Sequence, residues 1–293
     1  MSDTLDGLLA ECRDRLKAVG IVGAALDARH LVSGLLGLSL AELVTRGGEA
    51  VSEVDAARIR AAVARRATRE PVYRILGERE FFGLALKLSK ETLEPRPDTE
   101  TLVDCLIPYV RQIAAHKGRC RIIDLGTGTG AICLALLASV LDARGLGTDI
   151  SEDALATARE NADRNGLAER FETHRSNWFG AVEGRFDVIV SNPPYIRSKI
   201  VYELEPEVRL YDPAAALDGG NDGLDAYRAI ARDAGRHLER DGVVGLEIGF
   251  DQKQAVAALF EAEGFRVLLS ATDLGGNDRV LVFERDVDRI INR

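Results

Sequence analysis

Up to about Thr68, apolar residues recur every three or four positions and strand-like alternation is almost absent. Leu5, Leu8, Leu9, Cys12, Leu16 and Val19 make one stripe, and Leu26, His30, Leu31, Leu35 and Leu36 make a second. Each has the spacing of a helix that buries one face, with His30 at the surface or the core edge rather than a ligand. Ser39-x-x-Glu42 and Ser52-x-x-Asp55 read as helix starts in which a hydroxyl caps free backbone N–H groups. The period then switches. Glu80-Phe-Phe-Gly-Leu-Ala-Leu-Lys-Leu88 alternates around a glycine, which predicts a β-hairpin. Pro95 and Pro97 hold off the next helix until Asp98, and Asp98 or Thr99 is placed to cap it, with Leu102, Val103, Leu106 and Val110 facing a core.

From Arg121 onward, short apolar runs alternate with helical stretches. Ile122, Ile123 and Leu125 suit a strand covered on both faces, the mark of a parallel sheet. Further strands are expected at residues 143–149, 171–174, 186–190, 243–248, 265–270 and 279–283, the last two as an antiparallel pair. Helices are expected at 131–141, 151–165 (closed by Gly166 as a left-handed cap), 223–238 and 252–263. Residues 196–221 are polar, proline-punctuated and aperiodic, which predicts a functional loop covering a substrate. Residues 286–293 read as a loosely docked tail.

A chain of 293 residues, 46% hydrophobic, has room for two domains with a sizeable core. Its net charge of −9 offers no general attraction to nucleic acid, so no direct nucleic-acid contact is expected. No apolar run approaches the ~18–20 residues of a membrane span, and no signal peptide is expected. Cys12, Cys105, Cys120 and Cys133 are scattered, without C-x-x-C or histidines at metal spacing, so a cytoplasmic protein without a metal site is expected. With no exposed heptad or apolar patch in the sequence, a monomer is expected. Arg58, Arg60, Arg65, Arg66 and Arg69, followed by Arg74 and Arg79, read as a solvated face with some intrahelical pairing; a docking surface for a partly acidic partner or a ribosome-associated factor is the alternative.

Two stretches carry candidate chemistry. In Asp124-Leu-Gly-Thr-Gly-Thr-Gly130, a strand breaks into a turn that opens a helix. Gly126, Gly128 and Gly130 permit dihedrals and close approach that a side chain would block. Such a turn lets an adenosine-bearing ligand lie on bare backbone, although dinucleotide dehydrogenases use a similar one. Asp149, about twenty residues on at the end of the next strand, suits both hydroxyls of a ribose; capping the helix near Ser151 is its bland alternative. The second stretch follows the strand at 186–190 and reads Asn192-Pro-Pro-Tyr195. Pro193 and Pro194 fix their own φ and donate no backbone hydrogen bonds, so the loop is stiff. The Asn192 amide oxygen and the Pro193 carbonyl then form a matched acceptor pair for an –NH2 group, and Tyr195 a wall over a planar one.

These two stretches resemble an S-adenosylmethionine-dependent methyltransferase that modifies planar nitrogen. Glu94-Pro-Arg-Pro-Asp-Thr-Glu100, Glu78-Arg-Glu-Phe-Phe-Gly83 and the closing Gly275-Gly-Asn-Asp-Arg-Val280 make the chain similar to the HemK/PrmC family over nearly its whole length. The resemblance implies an α/β fold: a Rossmann-like methyltransferase sheet of seven strands, the last antiparallel. It implies a helical substrate-docking domain at residues 1–77, a hairpin linker at 78–97 and a catalytic domain at 98–293. S-adenosylmethionine is the implied cofactor, held by Gly126, Thr127, Gly128, Thr129, Gly130, Asp149, Asn177, Trp178 and Asn192. Asn192, Pro193, Pro194, Tyr195 and Arg96 are the implied substrate contacts, the first four catalytic. The sequence departs from the family pattern at Asn177, normally aspartate before Trp178, and at Glu94, normally aliphatic. The implied reaction, in translation termination, methylates the side-chain amide nitrogen of the Gly-Gly-Gln glutamine of class I peptide chain release factors. The alternatives are a nucleic-acid adenine exocyclic-amino methyltransferase and a non-catalytic scaffold that keeps the fold. The implied chemistry needs no strong general base, and His174 has no role.

Overall fold

The computed structural model describes residues 3–286, so the expected tail lies, but for Asp286, outside the described residues. The chain divides into two compact units: residues up to Glu78 together with Glu205–Tyr211, and Arg79–Leu204 together with the chain from Asp212 onward.

The first unit packs α1 (Leu5–Ala18), α2 (Ala24–Leu36), α3 (Leu40–Thr45), α4 (Glu53–Ala67) and α5 (Val72–Leu76) around one core. Leu5, Leu8, Cys12 and Leu16 of α1 are buried as expected, but Val19 lies past the helix end and is 45% exposed. The face of α2 also differs from the expected stripe. Ala24, Ala28, Leu31 and Val32 are buried while Leu26 is 55% exposed, because small side chains let α2 lie close against α1. His30 sits at the core edge, its ring 5.8 Å from that of Tyr73. Ser39 and Glu42 form a reciprocal capping box on α3, and the Ser52 hydroxyl accepts from the Asp55 N–H on α4. The arginines of α4 include the expected intrahelical pair, Arg58 with Asp55, and further pairs that reach beyond the helix. Arg60 meets Glu11 and Asp3, Arg65 meets Glu70, and the buried Arg66 donates to Asp27 (2.7 Å) and Glu207 (3.1 Å).

The second unit opens with β1 (Glu78–Phe81) and β2 (Leu84–Lys87), joined by Phe82 and Gly83, both at positive φ, a two-residue turn that matches strand twist. There follow α6 (Glu100–Lys117), β3 (Cys120–Leu125), α7 (Ala131–Ser139), β4 (Ala143–Asp149), α8 (Glu152–Arg164), β5 (Phe171–Arg175) and β6 (Phe186–Ser191). The stretch at 196–221, expected to lack structure of its own, contains α9 (Ser198–Val201), α10 (Pro206–Arg209, in the first unit) and α11 (Ala214–Leu217). Pro206 opens α10 and Pro213 precedes α11, where a fixed φ favours a helical turn too short to show as periodicity. The unit closes with α12 (Asp225–His237), β7 (Leu238–Glu247), α13 (Lys253–Ala262), β8 (Phe265–Thr272) and β9 (Asp278–Arg285).

Among the described residues the large sheet has seven strands in the order β5-β4-β3-β6-β7-β9-β8, parallel except for β9, which runs against both neighbours. Successive residues of the central strands feed opposite cores. Ile122, Val188 and Val190 pack with α6, α7 and α8, whereas Ile123, Leu125 and Ile189 pack with α12 and α13. Helix α7 is buried along Ala131–Leu137, which explains why it is apolar all round. It ends two residues before expectation, at Ser139. The hairpin is bound into this unit: Asn161 of α8 accepts from the Lys87 N–H (2.7 Å) and donates to the Lys87 carbonyl. Strand order reverses between β3 and β6, and a sheet that turns back on itself leaves a crevice at the carboxyl ends of those strands.

Candidate functional site

That crevice is a cleft with about 1100 Å³ of empty space, open mouth included, lined from the ends of β3, β4, β5 and β6 and from α11. Of the expected residues, Gly126, Thr127, Gly128, Thr129, Asp149, Asn177, Trp178, Asn192, Pro194 and Arg96 line it together; Gly130, Pro193 and Tyr195 do not.

The glycine turn leaves β3 with Gly126, Gly128 and Gly130 at φ of 70°, 54° and 84°, conformations that L side chains rarely adopt. Gly130 closes the turn as the N-cap of α7. Two carboxylates brace it. Asp149 accepts from the N–H of Gly128 and, through its other oxygen, from the N–H of Ser151, both at 3.0 Å. Ser151, not Asp149, caps α8 by its side chain. Below the turn the buried Asp124 accepts from the Thr127 hydroxyl (2.8 Å), while its second oxygen meets no hydrogen-bond partner within bonding distance among the described residues. Burial pushes the Asp124 carboxyl up to about 7 and also raises that of Asp149.

Across the cleft Trp178 holds φ of 51°, unusual for a bulky residue. Ser176 stabilises that turn by donating to the Trp178 carbonyl (2.7 Å) and accepting from the Ala181 N–H (3.0 Å). A Cβ built on Gly126 would lie 3.9 Å from the indole, so ring and turn face each other closely. Ile150, 53% exposed, adds an apolar lining surface that the sequence reading did not single out.

The rigid loop after β6 is held from several sides. The Ser191 hydroxyl donates to the Leu125 carbonyl (2.6 Å), tying the ends of β6 and β3 together. Gln252 donates to the carbonyls of Tyr195 (3.0 Å) and Gly223 (3.1 Å), and a Cβ at Gly223 would collide with the Tyr195 carbonyl at 2.4 Å. Ile196 exchanges backbone bonds with Leu217 and Gly219, which brings α11 and its cleft-lining Ala215 and Ala216 beside the loop. Asn192 donates its amide N–H to the Thr99 hydroxyl at 3.3 Å. Thr99 occupies the N-cap of α6, yet its hydroxyl does not cap the helix as expected; it donates to Glu247 at 2.6 Å. Tyr195 turns its hydroxyl to the other oxygen of Glu247 (3.3 Å). Glu247 is 2% exposed, and burial raises its carboxyl against the pull of Thr99 and Arg279. Arg96 pairs with the buried Asp212 at 2.5 Å, and Glu94 is buried against Arg79. The family resemblance implies that Pro95-Arg-Pro-Asp-Thr-Glu100 lines the cofactor or substrate channel, and Pro95, Arg96 and Thr99 do line the cleft; Glu247 was missed, although a glutamate ending the apolar run Val243-Val-Gly-Leu246 was a usable signal.

Comparison with known proteins bears on this geometry. Residues 7–77 match the PrmC N-terminal domain and residues 99–208 the methyltransferase small domain. The chain is similar to a release factor glutamine methyltransferase of Agrobacterium fabrum, 58% identical over 96% of this chain and 98% of that protein. It is also similar to one of Cereibacter sphaeroides, 46% identical over 91% and 93%. A crystal structure of a methyltransferase from Pyrococcus furiosus, 22% identical, shares the fold with a TM-score of 0.51 over 78% of this chain and 95% of that one.

Proposed function

The chain belongs to the release factor glutamine methyltransferase family, and from that premise we propose that it methylates the side-chain amide nitrogen of the Gly-Gly-Gln glutamine in class I peptide chain release factors, using S-adenosylmethionine. The residues present fit that cofactor. Asp149 uses one lone pair of each oxygen on the backbone and retains acceptor capacity for two ribose hydroxyls. The bare backbone of Gly126–Gly128 admits the amino-acid end, while Ile150 and Trp178 offer apolar surface to the adenine and the Asn177 amide a polar edge.

The sulfonium of the bound cofactor supplies an electrophilic methyl group. The difficulty lies with the nucleophile, because an amide nitrogen shares its lone pair with its carbonyl. The observation that carries the proposal is that Asn192 lines the cleft and donates from its amide nitrogen to Thr99, and we assign its oxygen as the acceptor for the substrate. That oxygen holds one amide hydrogen of the substrate, and the carbonyl of Pro193, next in the chain though not itself part of the cleft lining, is assigned the other, so that the pair orients the nitrogen and stabilises the positive charge that develops on it. The proton leaves to water. The test is to incubate the protein with labelled S-adenosylmethionine and either a release factor or nucleic acid. Label is expected on the release factor alone; label on nucleic acid instead would overturn the assignment.

A further inference from the structure

We infer that Thr99 and Glu247 are positioning residues that set which end of the Asn192 amide faces the substrate; the inference rests on the function proposed above. An asparagine amide can be turned either way, and only one way presents an acceptor to a substrate –NH2. The direction follows from the far end of a three-residue chain. The Thr99 hydroxyl donates to one Glu247 oxygen at 2.6 Å and the Tyr195 hydroxyl donates to the other at 3.3 Å, so both oxygens of this carboxyl are taken up as acceptors. The Thr99 oxygen is then an acceptor on its remaining side, and the Asn192 group facing it at 3.3 Å is the NH2. The Asn192 oxygen is thereby directed to the cleft.

The same carboxylate also receives the Tyr195 hydroxyl at 3.3 Å, so both ends of the Asn192–Tyr195 turn are referred to one buried group. Thr99 and Glu247 are 3% and 2% exposed, which keeps water from substituting for either. The backbone around Glu247 is fixed independently, since the Tyr227 hydroxyl donates to its carbonyl at 3.0 Å. A glutamine at 247 would keep the shape but bring its own N–H donors. The Thr99 hydroxyl could then turn, donate to the Asn192 oxygen and expose NH2 to NH2.

The experiment measures methylation of a release factor by wild type, Thr99→Val, Thr99→Ser, Glu247→Gln, Asn192→Ala and the Thr99→Val/Asn192→Ala double variant, with S-adenosylmethionine affinity and thermal midpoint for each. Thr99→Val and Glu247→Gln are expected to lower kcat by about tenfold or more at nearly unchanged cofactor affinity, with rescue by Thr99→Ser. In the Asn192→Ala background Thr99→Val is expected to cost nothing further, because its effect passes through that amide. Wild-type kcat in Thr99→Val and Glu247→Gln, or losses that simply add to that of Asn192→Ala, would overturn the inference. Absence of methylation by the wild-type protein itself would instead sink the functional assignment, so the two failures are distinct.

Discussion

Asp149 fixes the Gly128 amide of the glycine turn and lines the cleft, and the function proposed above gives its remaining lone pairs to the cofactor's ribose. Asp149→Ala is therefore expected to weaken S-adenosylmethionine binding by about an order of magnitude or more, measured by calorimetry; unchanged affinity would remove Asp149 from the cofactor site. Asp124 differs because it is buried with one oxygen unpartnered among the described residues, and its carboxyl is lifted from 3.8 to about 7. The folded state holds that proton where the unfolded chain releases it, so its stabilising contribution is present below about pH 4 and lost as pH rises to about 7. The loss attributable to Asp124 is roughly 4 kcal/mol. Asp149 and Glu247, both also raised, act in the same direction. The fall is expected to be shallower in Asp124→Asn, read from urea unfolding across pH 4–8; equal slopes in the two proteins would contradict the assignment. At this scale the placement of Asp149 and Asn192 at the cleft was legible, because the glycine turn and the paired prolines have so few other uses. The link between Thr99 and Glu247 was not, since they lie 148 positions apart in sequence and only the fold joins them.

The elements show the same division. Buried strands announced themselves as unbroken apolar runs, and Leu102, Val103, Leu106 and Val110 of α6 are buried as their spacing required. The α2 stripe was misread because hydrophobicity favours Leu26 over Ala28, whereas helix proximity favours the alanine. The one-turn helices at 198–217 escaped detection because a single turn has no period. Close packing between β4 and the glycine turn gives a further test. A Cβ at Gly147 would lie 2.7 Å from Phe171 and 2.9 Å from Thr127. Gly147→Ala is expected to cost about 1–3 kcal/mol in urea unfolding and to weaken cofactor binding through Thr127. A substitution neutral in both measurements would show that the turn tolerates displacement.

Over the whole molecule, the charge of −9 offers no general attraction to nucleic acid, and no helix among the described residues is long and apolar enough to cross a membrane. Segment Glu205–Tyr211 belongs to the first unit, where Arg66 and Arg69 hold Glu207. Arg66→Ala would leave Asp27 without its partner and Glu207 with Arg69 alone, so a loss of about 2–4 kcal/mol is expected on urea unfolding. A change under about 0.5 kcal/mol would mean the pair contributes little. The account as a whole depends on the Asn192 amide oxygen receiving the substrate amide. Its most direct test is mass spectrometry of a release factor incubated with S-adenosylmethionine and either wild-type protein or Asn192→Ala. A single methyl group on the side-chain amide of the Gly-Gly-Gln glutamine is expected with the first, at a rate about a hundredfold or more lower with the second. Methylation at another residue, or an undiminished rate without Asn192, would contradict it.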